Sequence, residues 1–251
     1  MTRLGTTLQM TISVIFVIAG VAYALWGVDP VIPDAARSLG PLTAALPPQP
    51  GSVALSIPQI YLNPQNPVMW ALLVTIWVMV LLDAVGQFID PSDGPEIRAE
   101  RPRVWPLMTA AMIGAAGWPL LLDRPLLLAA ATGLSALCAT LGARHAAGRH
   151  RPAVGFFAGW ATALTSAALA GLAADRFGLP IQAVSALAIL PAAAIGMAMQ
   201  SWIGPSIGYS TALIWAFCGL AVTTMGSDPV IALAAILGIT AMASVLVRAA
   251  S

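Results

Sequence analysis

Eight apolar stretches, each long enough or nearly long enough to cross a membrane as a helix, constrain the fold of this chain most. A spanning helix needs about 20 mostly apolar residues. Between the stretches lie helix breakers such as the Asp-Pro pairs that begin at Asp29, Asp90 and Asp228. The predicted spans are about 8–26, 67–88, 105–122, 126–143, 153–174, 182–202, 209–225 and 229–247.

Charged residues are too scarce for a soluble protein. They make up 8% of the 251 residues, and 59% of the chain is hydrophobic. A soluble domain carries roughly 25% charged residues, because its surface must face water. Most of this surface must therefore face lipid, and we predict an all-α polytopic transmembrane bundle forming a single membrane domain over 1–251. The net charge of +1 argues against a nucleic-acid partner.

The arginines predict which side of the membrane each loop faces. Every basic residue is Arg, and the gaps on one side hold eight of them against three on the other. Lys and Arg are enriched in cytoplasmic loops, so both termini should lie in the cytoplasm, in a bacterial cytoplasmic (inner) membrane. The eight are Arg3, Arg98, Arg101, Arg103, Arg144, Arg149, Arg151 and Arg248, and the three are Arg37, Arg124 and Arg176.

One connection is much longer than the others. Residues 27–66 hold eight prolines and few charges, and this topology places them on the periplasmic face. The apolar content of the loop favours packing over disorder, and a short piece from Ser56 to Tyr61 could fold back onto the bundle. The apolar stretch that ends at Trp26 is long for a signal peptide, so we predict a retained first helix.

Asp83 is the clearest ionisable group within a predicted span. It lies roughly one turn from the cytoplasmic end of the second helix, and Gln87 shares its helix face. An ionisable group inside a membrane is costly and suggests a polar ligand site or a proton site. The alternative is an interfacial carboxylate that reaches the lipid headgroups or an Arg of the adjacent loop.

Other chemistry has little support in the sequence. His145 and His150 both lie in a basic loop, and Cys138 and Cys218 fall in apolar runs without metal-binding spacing. No set of residues suggests a catalytic mechanism. We therefore predict a non-enzymatic protein without a metal site or a covalent cofactor.

The chain carries eight tryptophans, which need an explanation. Trp26, Trp105 and Trp202 fall at helix ends, as in the aromatic belt of membrane proteins. Trp70 and Trp77 lie seven residues apart, on roughly one helix face. The interior tryptophans could line a cavity for a flat apolar ligand or serve only packing.

Several of these tryptophans lie in segments that resemble the tryptophan-rich sensory protein/translocator protein family. The stretch from Asn66 to Trp77, where a Pro precedes Trp70 and an apolar helix, resembles the second helix of that family. The Phe-Phe-Ala-Gly-Trp sequence ending at Trp160 resembles its fifth helix, and Trp118 matches the Trp of its third. The segment from Tyr209 to Gly219 is similar to the penultimate span of the longer members. The sequence departs from the family pattern at Ala115 and Ala168, where the family has Asn.

The resemblance implies a bundle that binds porphyrins or related tetrapyrroles between the first loop and the helices, often as a homodimer. Trp70, Trp118 and Trp160 would then line the cavity, and the 27–66 loop would cover it. The candidate ligand-binding residues are Trp70, Trp77, Trp118, Trp160, Tyr61 and Asp83.

Three functions remain open. The first is a membrane sensor or carrier for a flat hydrophobic ligand such as a tetrapyrrole. The second is a structural or assembly subunit of a larger respiratory or photosynthetic membrane complex, which the many small helix residues would suit. The third, which we rank last, is a secondary transporter: Pro119 and Pro191 could break helices, but the predicted spans lack charge at the midplane.

Overall fold

The computed structural model describes residues 2–26, 58–64, 66–89, 103–148, 151–204, 206–226 and 229–250, and within them the fold is all-α. Eight long helices follow one another, and each of the eight predicted stretches falls on one of them, so the predicted fold class is confirmed. They are α1 (Thr2–Trp26), α2 (Pro67–Ile89), α3 (Trp105–Gly117), α4 (Pro125–Ala146), α5 (Pro152–Phe177), α6 (Ile181–Ile203), α7 (Gly208–Thr224) and α8 (Pro229–Ala250).

Six of these helices are long and apolar enough to cross a membrane in the described part of the chain. The two shorter apolar helices are Trp105–Leu121, which extends α3 by a 3₁₀ turn, and Gly208–Thr224, which is α7. At 1.5 Å per residue, 17 residues span about 25 Å, slightly less than a typical hydrocarbon core. The chain is thus a multi-pass membrane protein.

Prolines and glycines set the helix boundaries. Pro67, Pro125, Pro152 and Pro229 each stand at the first position of a helix, where the missing N–H removes no hydrogen bond. Gly178 ends α5 in the left-handed conformation, with φ of 61°, which a glycine adopts without steric cost. These local rules explain why the helix limits follow from the sequence.

The two prolines that could break a helix behave differently. Pro119 lies where α3 changes into the 3₁₀ turn Trp118–Leu121. Pro191 lies inside α6, and the helix continues on both sides of it. A proline in a helix interior removes one hydrogen bond, which a membrane helix tolerates when its neighbours satisfy the freed group.

Helix α5 lies at the centre of the bundle. It contacts α2, α4, α6 and α7, while α8 packs on α6 and α7, and α1 packs on α2 and α3. Every residue from 153 to 161 is buried. Gly159 lies so close to α7 that a Cβ atom there would collide with the carbonyl oxygen of Tyr209. Small residues allow this approach, as is usual between helices in lipid.

The end of the long loop packs onto the bundle. Residues 58–62 form a helical turn in which Tyr61 and Leu62 are buried. Asn66 caps α2 by accepting the Met69 N–H at 2.9 Å, and its amide donates to the Thr223 hydroxyl at 2.5 Å. The rest of the predicted lid, 27–57 and residue 65, lies outside the described residues, as do Arg37, Arg98, Arg101, Arg149 and His150.

Candidate functional site

A buried ion pair joins the ends of three helices. The guanidinium of Arg151, just before α5, donates to both carboxylate oxygens of Asp83 in α2, at 2.9 and 2.7 Å. Gln9 of α1 adds a third hydrogen bond, to Asp83 Oδ2, at 3.1 Å. The Arg151 and Asp83 side chains are only 3% and 5% exposed. This bidentate pair therefore fixes α1, α2 and α5 to one another.

The ion pair answers part of the sequence hypothesis. Asp83 is paired with an arginine, but that arginine belongs to the second basic loop and not to the loop adjacent to α2. Sequence reasoning treated Arg151 as a loop charge and missed Gln9. Arg151 comes immediately before Pro152, the first residue of α5. This position was the available signal that Arg151 begins a buried helix. Within the described residues, Arg151 Nη1 and Gln9 Oε1 are buried without a hydrogen-bond partner.

The same contacts show that α1, α5 and α7 run opposite to α2, as alternation along the chain requires. The N-terminal parts of α1 and α5 meet the C-terminal part of α2 at this ion pair. At the other end of the bundle, Asn66 before α2 meets Thr223 near the end of α7. The assignment of the arginines to two sides of the membrane assumes the same alternation. The assignment of the ion-pair end to the cytoplasm remains a prediction.

Two of the predicted ligand-binding tryptophans form a closed aromatic cluster. The ring centroids of Trp118 and Trp160 lie 5.1 Å apart, and Phe157 and Phe16 contact Trp160 at 5.7 and 6.1 Å. Trp118 is 0% exposed and Trp160 2%. Rings at these distances pack directly on one another, so the cluster is part of the core.

The other candidates lie elsewhere in the core. Trp77 is buried beside Gly20 of α1, and Trp70 is half-buried at the start of α2. Tyr61 borders a cavity of about 10 Å³ with Ser166, Ser185 and other residues. That cavity is far smaller than a typical ligand pocket. Burial raises the pKa of the Tyr61 phenol above its ordinary value, so the group stays neutral.

A ligand-sized space forms a groove along the outside of α5. Helices α4 and α6 form its walls, α5 forms its floor, and its volume is about 680 Å³. Known ligand sites range from roughly 300 to 1,000 Å³ and are mostly apolar. Representative residues of this groove are Ala136 and Thr140 on α4, Thr165 and Leu169 on α5, and Ile195 and Trp202 on α6.

The hydroxyl groups of the groove are turned back onto their own helices. Thr140, Thr162, Thr165 and Ser166 each donate to a backbone carbonyl three or four residues earlier, at 2.7 to 2.8 Å. Thr162 also accepts a hydrogen bond from Tyr209 at 3.2 Å. Because these hydroxyls are satisfied, the groove presents an almost wholly apolar surface.

Trp202 lines one end of the groove, and Arg144 packs against it. The Arg144 guanidinium carbon lies 4.1 Å from the ring centroid of Trp202, and its Nη1 donates to the Trp202 carbonyl at 3.3 Å. A cation over an indole face is attracted by the electrons of the ring. The sequence indicated a membrane-interface tryptophan and a loop charge here. It gave no sign that the two residues meet across a groove.

The fold and these sites define a multi-pass membrane protein with a sealed aromatic core and an apolar groove that opens toward lipid. No group of three His, Cys, Asp or Glu side chains in the described ranges could hold a metal ion. No protein-family model, no curated protein and no solved structure matches the chain. The resemblance to the tryptophan-rich sensory proteins therefore remains a prediction.

Proposed function

We propose that this protein is a non-enzymatic membrane sensor or carrier that holds a flat hydrophobic ligand, such as a tetrapyrrole, in the groove between α4, α5 and α6. The observation that carries the proposal is the groove itself, with about 680 Å³ of apolar space and an aromatic ring at one end. A ligand could enter from the bilayer, since the groove lies on the outside of the bundle. The arginine distribution supports a bacterial cytoplasmic membrane.

The proposal keeps the ligand class implied by the resemblance but moves the ligand to another surface. The family resemblance suggested a cavity lined by Trp70, Trp118 and Trp160. Trp118 and Trp160 are packed against each other, so a ligand between them would have to separate two core rings. Trp202 borders the groove and is 42% exposed, and it can contact a ligand without such a rearrangement.

A titration with protoporphyrin IX tests the proposal. The detergent-purified protein should bind this porphyrin and show quenched tryptophan fluorescence. Ala198→Phe places a ring in the groove and should weaken binding at least tenfold, or about 1.4 kcal/mol. Ala71→Phe makes the same change at an exposed alanine on α2 and should leave binding unchanged. No binding by the unmodified protein, or an equal loss in both variants, would contradict the proposal.

A second candidate is a structural or assembly subunit of a larger membrane complex. It is supported by the closed packing of the aromatic cluster and by the ion pair, which are features of a rigid scaffold. Purification from the native membrane in a mild detergent, with mass spectrometry, separates the two functions. A stoichiometric complex in which the groove is covered by another subunit would favour the scaffold. A monomer or homodimer that binds porphyrin would favour the carrier.

A further inference from the structure

Arg144 differs from Arg151, the buried arginine at this end of the bundle. It lies in the last turn of α4, where the helix dipole favours a cation. Its guanidinium is fixed from across the groove, by the ring of Trp202 and by the carbonyl of the same residue. Both contacts come from α6, so the charge is held at the groove end without help from a neighbour on α4.

The remaining donors of Arg144 are available to a ligand. Its side chain is exposed, and within the described part of the chain it forms no ion pair with a carboxylate. A guanidinium stacked on an aromatic ring uses its face for the ring, and its N–H groups point outward along its edges. One of them bonds Trp202, and the others can receive an acid group.

The residues that line the groove carry no charge of their own. Its hydroxyls are occupied by backbone carbonyls, and its other surface is apolar. A purely apolar ligand would gain nothing from Arg144. A ligand with an apolar body and an acid edge would place that edge at Arg144 and its body along Leu169 and Ile195.

We infer that Arg144, held on Trp202, binds a carboxylate of the ligand, so that the ligand combines an apolar body with a free acid group. This inference rests on the proposed function, since it needs a ligand in the groove. Arg144 then sets both the orientation of the ligand and its selectivity for the acid over the neutral form. Two parallel N–H···O bonds to a carboxylate fit the planar fork of the guanidinium.

The test compares protoporphyrin IX with its dimethyl ester, which has the same ring and no acid. The protein is placed in nanodiscs of zwitterionic lipid, and binding is followed by tryptophan quenching. We expect the acid to bind roughly tenfold to hundredfold more tightly than the ester, the difference expected from a charge-assisted hydrogen bond. Arg144→Gln should remove that preference, and Arg144→Lys should keep part of it, because an ammonium retains the charge without the planar fork.

Arg103→Gln is the matched control, because Arg103 is exposed just before α3 and, unlike Arg144, is not held against Trp202. It should leave the preference unchanged. Equal binding of acid and ester to the unmodified protein overturns the inference and leaves the proposed function standing, and this comparison needs no variant. An acid preference that persists in Arg144→Gln also overturns the inference. Failure of both porphyrins to bind overturns the proposed function as well.

An anionic lipid is the competing occupant, since a phosphate could also meet Arg144. The same titration is therefore repeated in nanodiscs that contain phosphatidylglycerol. The inference predicts that porphyrin affinity falls by less than about threefold, the effect of general surface charge on an anionic ligand. Complete displacement of the porphyrin by phosphatidylglycerol would assign the groove to lipid and overturn the inference.

Discussion

The two halves of α5 meet different environments. Residues 153–161 are all buried, against α4, α7, Phe16 of α1 and the 3₁₀ turn after α3, with the Arg151 ion pair just before them. The next turns, from Thr162 to Leu169, form the floor of the groove and are partly open. We call these two parts the packed half and the groove half. One helix thus provides both the centre of the bundle and the floor of the groove.

The same contrast separates two arginines. Arg151 is buried and bonds both carboxylate oxygens of Asp83, while its Nη1 group is buried without a hydrogen-bond partner in the described part of the chain. Arg144 is exposed and held by a ring and one carbonyl, so most of its donors are free. The two arginines flank the same loop but differ in burial and in the partners that hold them. Burial fixes the first as a structural link, and stacking leaves the second available for recognition.

The largest expected effect concerns the ion pair between Asp83 and Arg151, just before the packed half of α5. Asp83→Asn removes the counter-ion and leaves the Arg151 charge buried. Breaking a buried pair by removing one partner typically costs about 3–5 kcal/mol in the free energy of unfolding. We expect a loss of that size in denaturant or thermal unfolding of the purified protein in detergent.

Asp123→Asn is the control for this change. The Asp123 and Arg124 side chains are 75% and 67% exposed, and their closest charged atoms are 3.9 Å apart. An exposed pair of this kind contributes less than about 1 kcal/mol. If Asp83→Asn were as mild as Asp123→Asn, the ion pair would not be the link between α1, α2 and α5. The double change Asp83→Leu with Arg151→Met should be milder than Asp83→Asn alone, because it leaves no charge unpaired.

The second prediction compares Trp160, in the packed half of α5, with Trp202, which lines the groove from α6. Trp160→Ala empties part of the aromatic cluster and should cost about 3–5 kcal/mol in the free energy of unfolding. Trp202→Ala removes a partly exposed ring at the groove end, and we expect it to cost less than half as much. Binding of protoporphyrin IX should show the reverse order, with the larger loss of affinity in Trp202→Ala. If folded Trp160→Ala lost more affinity than Trp202→Ala, the ligand would bind at the aromatic cluster and not in the groove.

Most of the fold follows from the sequence for local reasons. The length of each apolar stretch predicts a helix, and prolines such as Pro67 and Pro152 mark where helices begin. The alternation of helices follows from their number and from the arginines. These properties depend on residues close together in the chain, so sequence reasoning reaches them.

The site depends on residues far apart in the chain, and the sequence gives few of its contacts. Asp83 stands out as a charge in an apolar run, but its partner is 68 residues away. The contact of Arg144 with Trp202 spans 58 residues. A groove is also a gap between helices, and no residue type marks a gap. The small and hydroxyl-bearing residues that line the groove are equally typical of closely packed helices.

The third prediction compares two glycines by the space around them. A Cβ atom at Gly159, in the packed half, would collide with the Tyr209 carbonyl oxygen and come within 3.0 Å of Ala212. Gly159→Ala should therefore cost about 1–3 kcal/mol in stability, since backbone cannot move aside easily. At Gly133 of α4 the nearest atom is the Thr165 methyl at 3.8 Å, an ordinary contact. Gly133→Ala should stabilise the protein by up to about 1 kcal/mol through helix propensity. Equal effects of the two changes in an unfolding experiment would contradict the close contact between α5 and α7.

The smallest expected effect lies on the groove floor. The Thr165 hydroxyl donates to the Ala161 carbonyl at 2.7 Å, and that carbonyl keeps its normal helix partner without it. Thr165→Val keeps the shape, so unfolding should change by less than about 0.5 kcal/mol and porphyrin affinity by less than about twofold. Ser210→Ala is the comparison, because that hydroxyl donates to the buried Gln200 at 2.8 Å, where its loss should cost about 1 kcal/mol. A strong loss of binding in Thr165→Val would mean that the hydroxyl turns toward the ligand. The groove half would then contribute polar recognition of its own, and Arg144 would not be the main polar determinant.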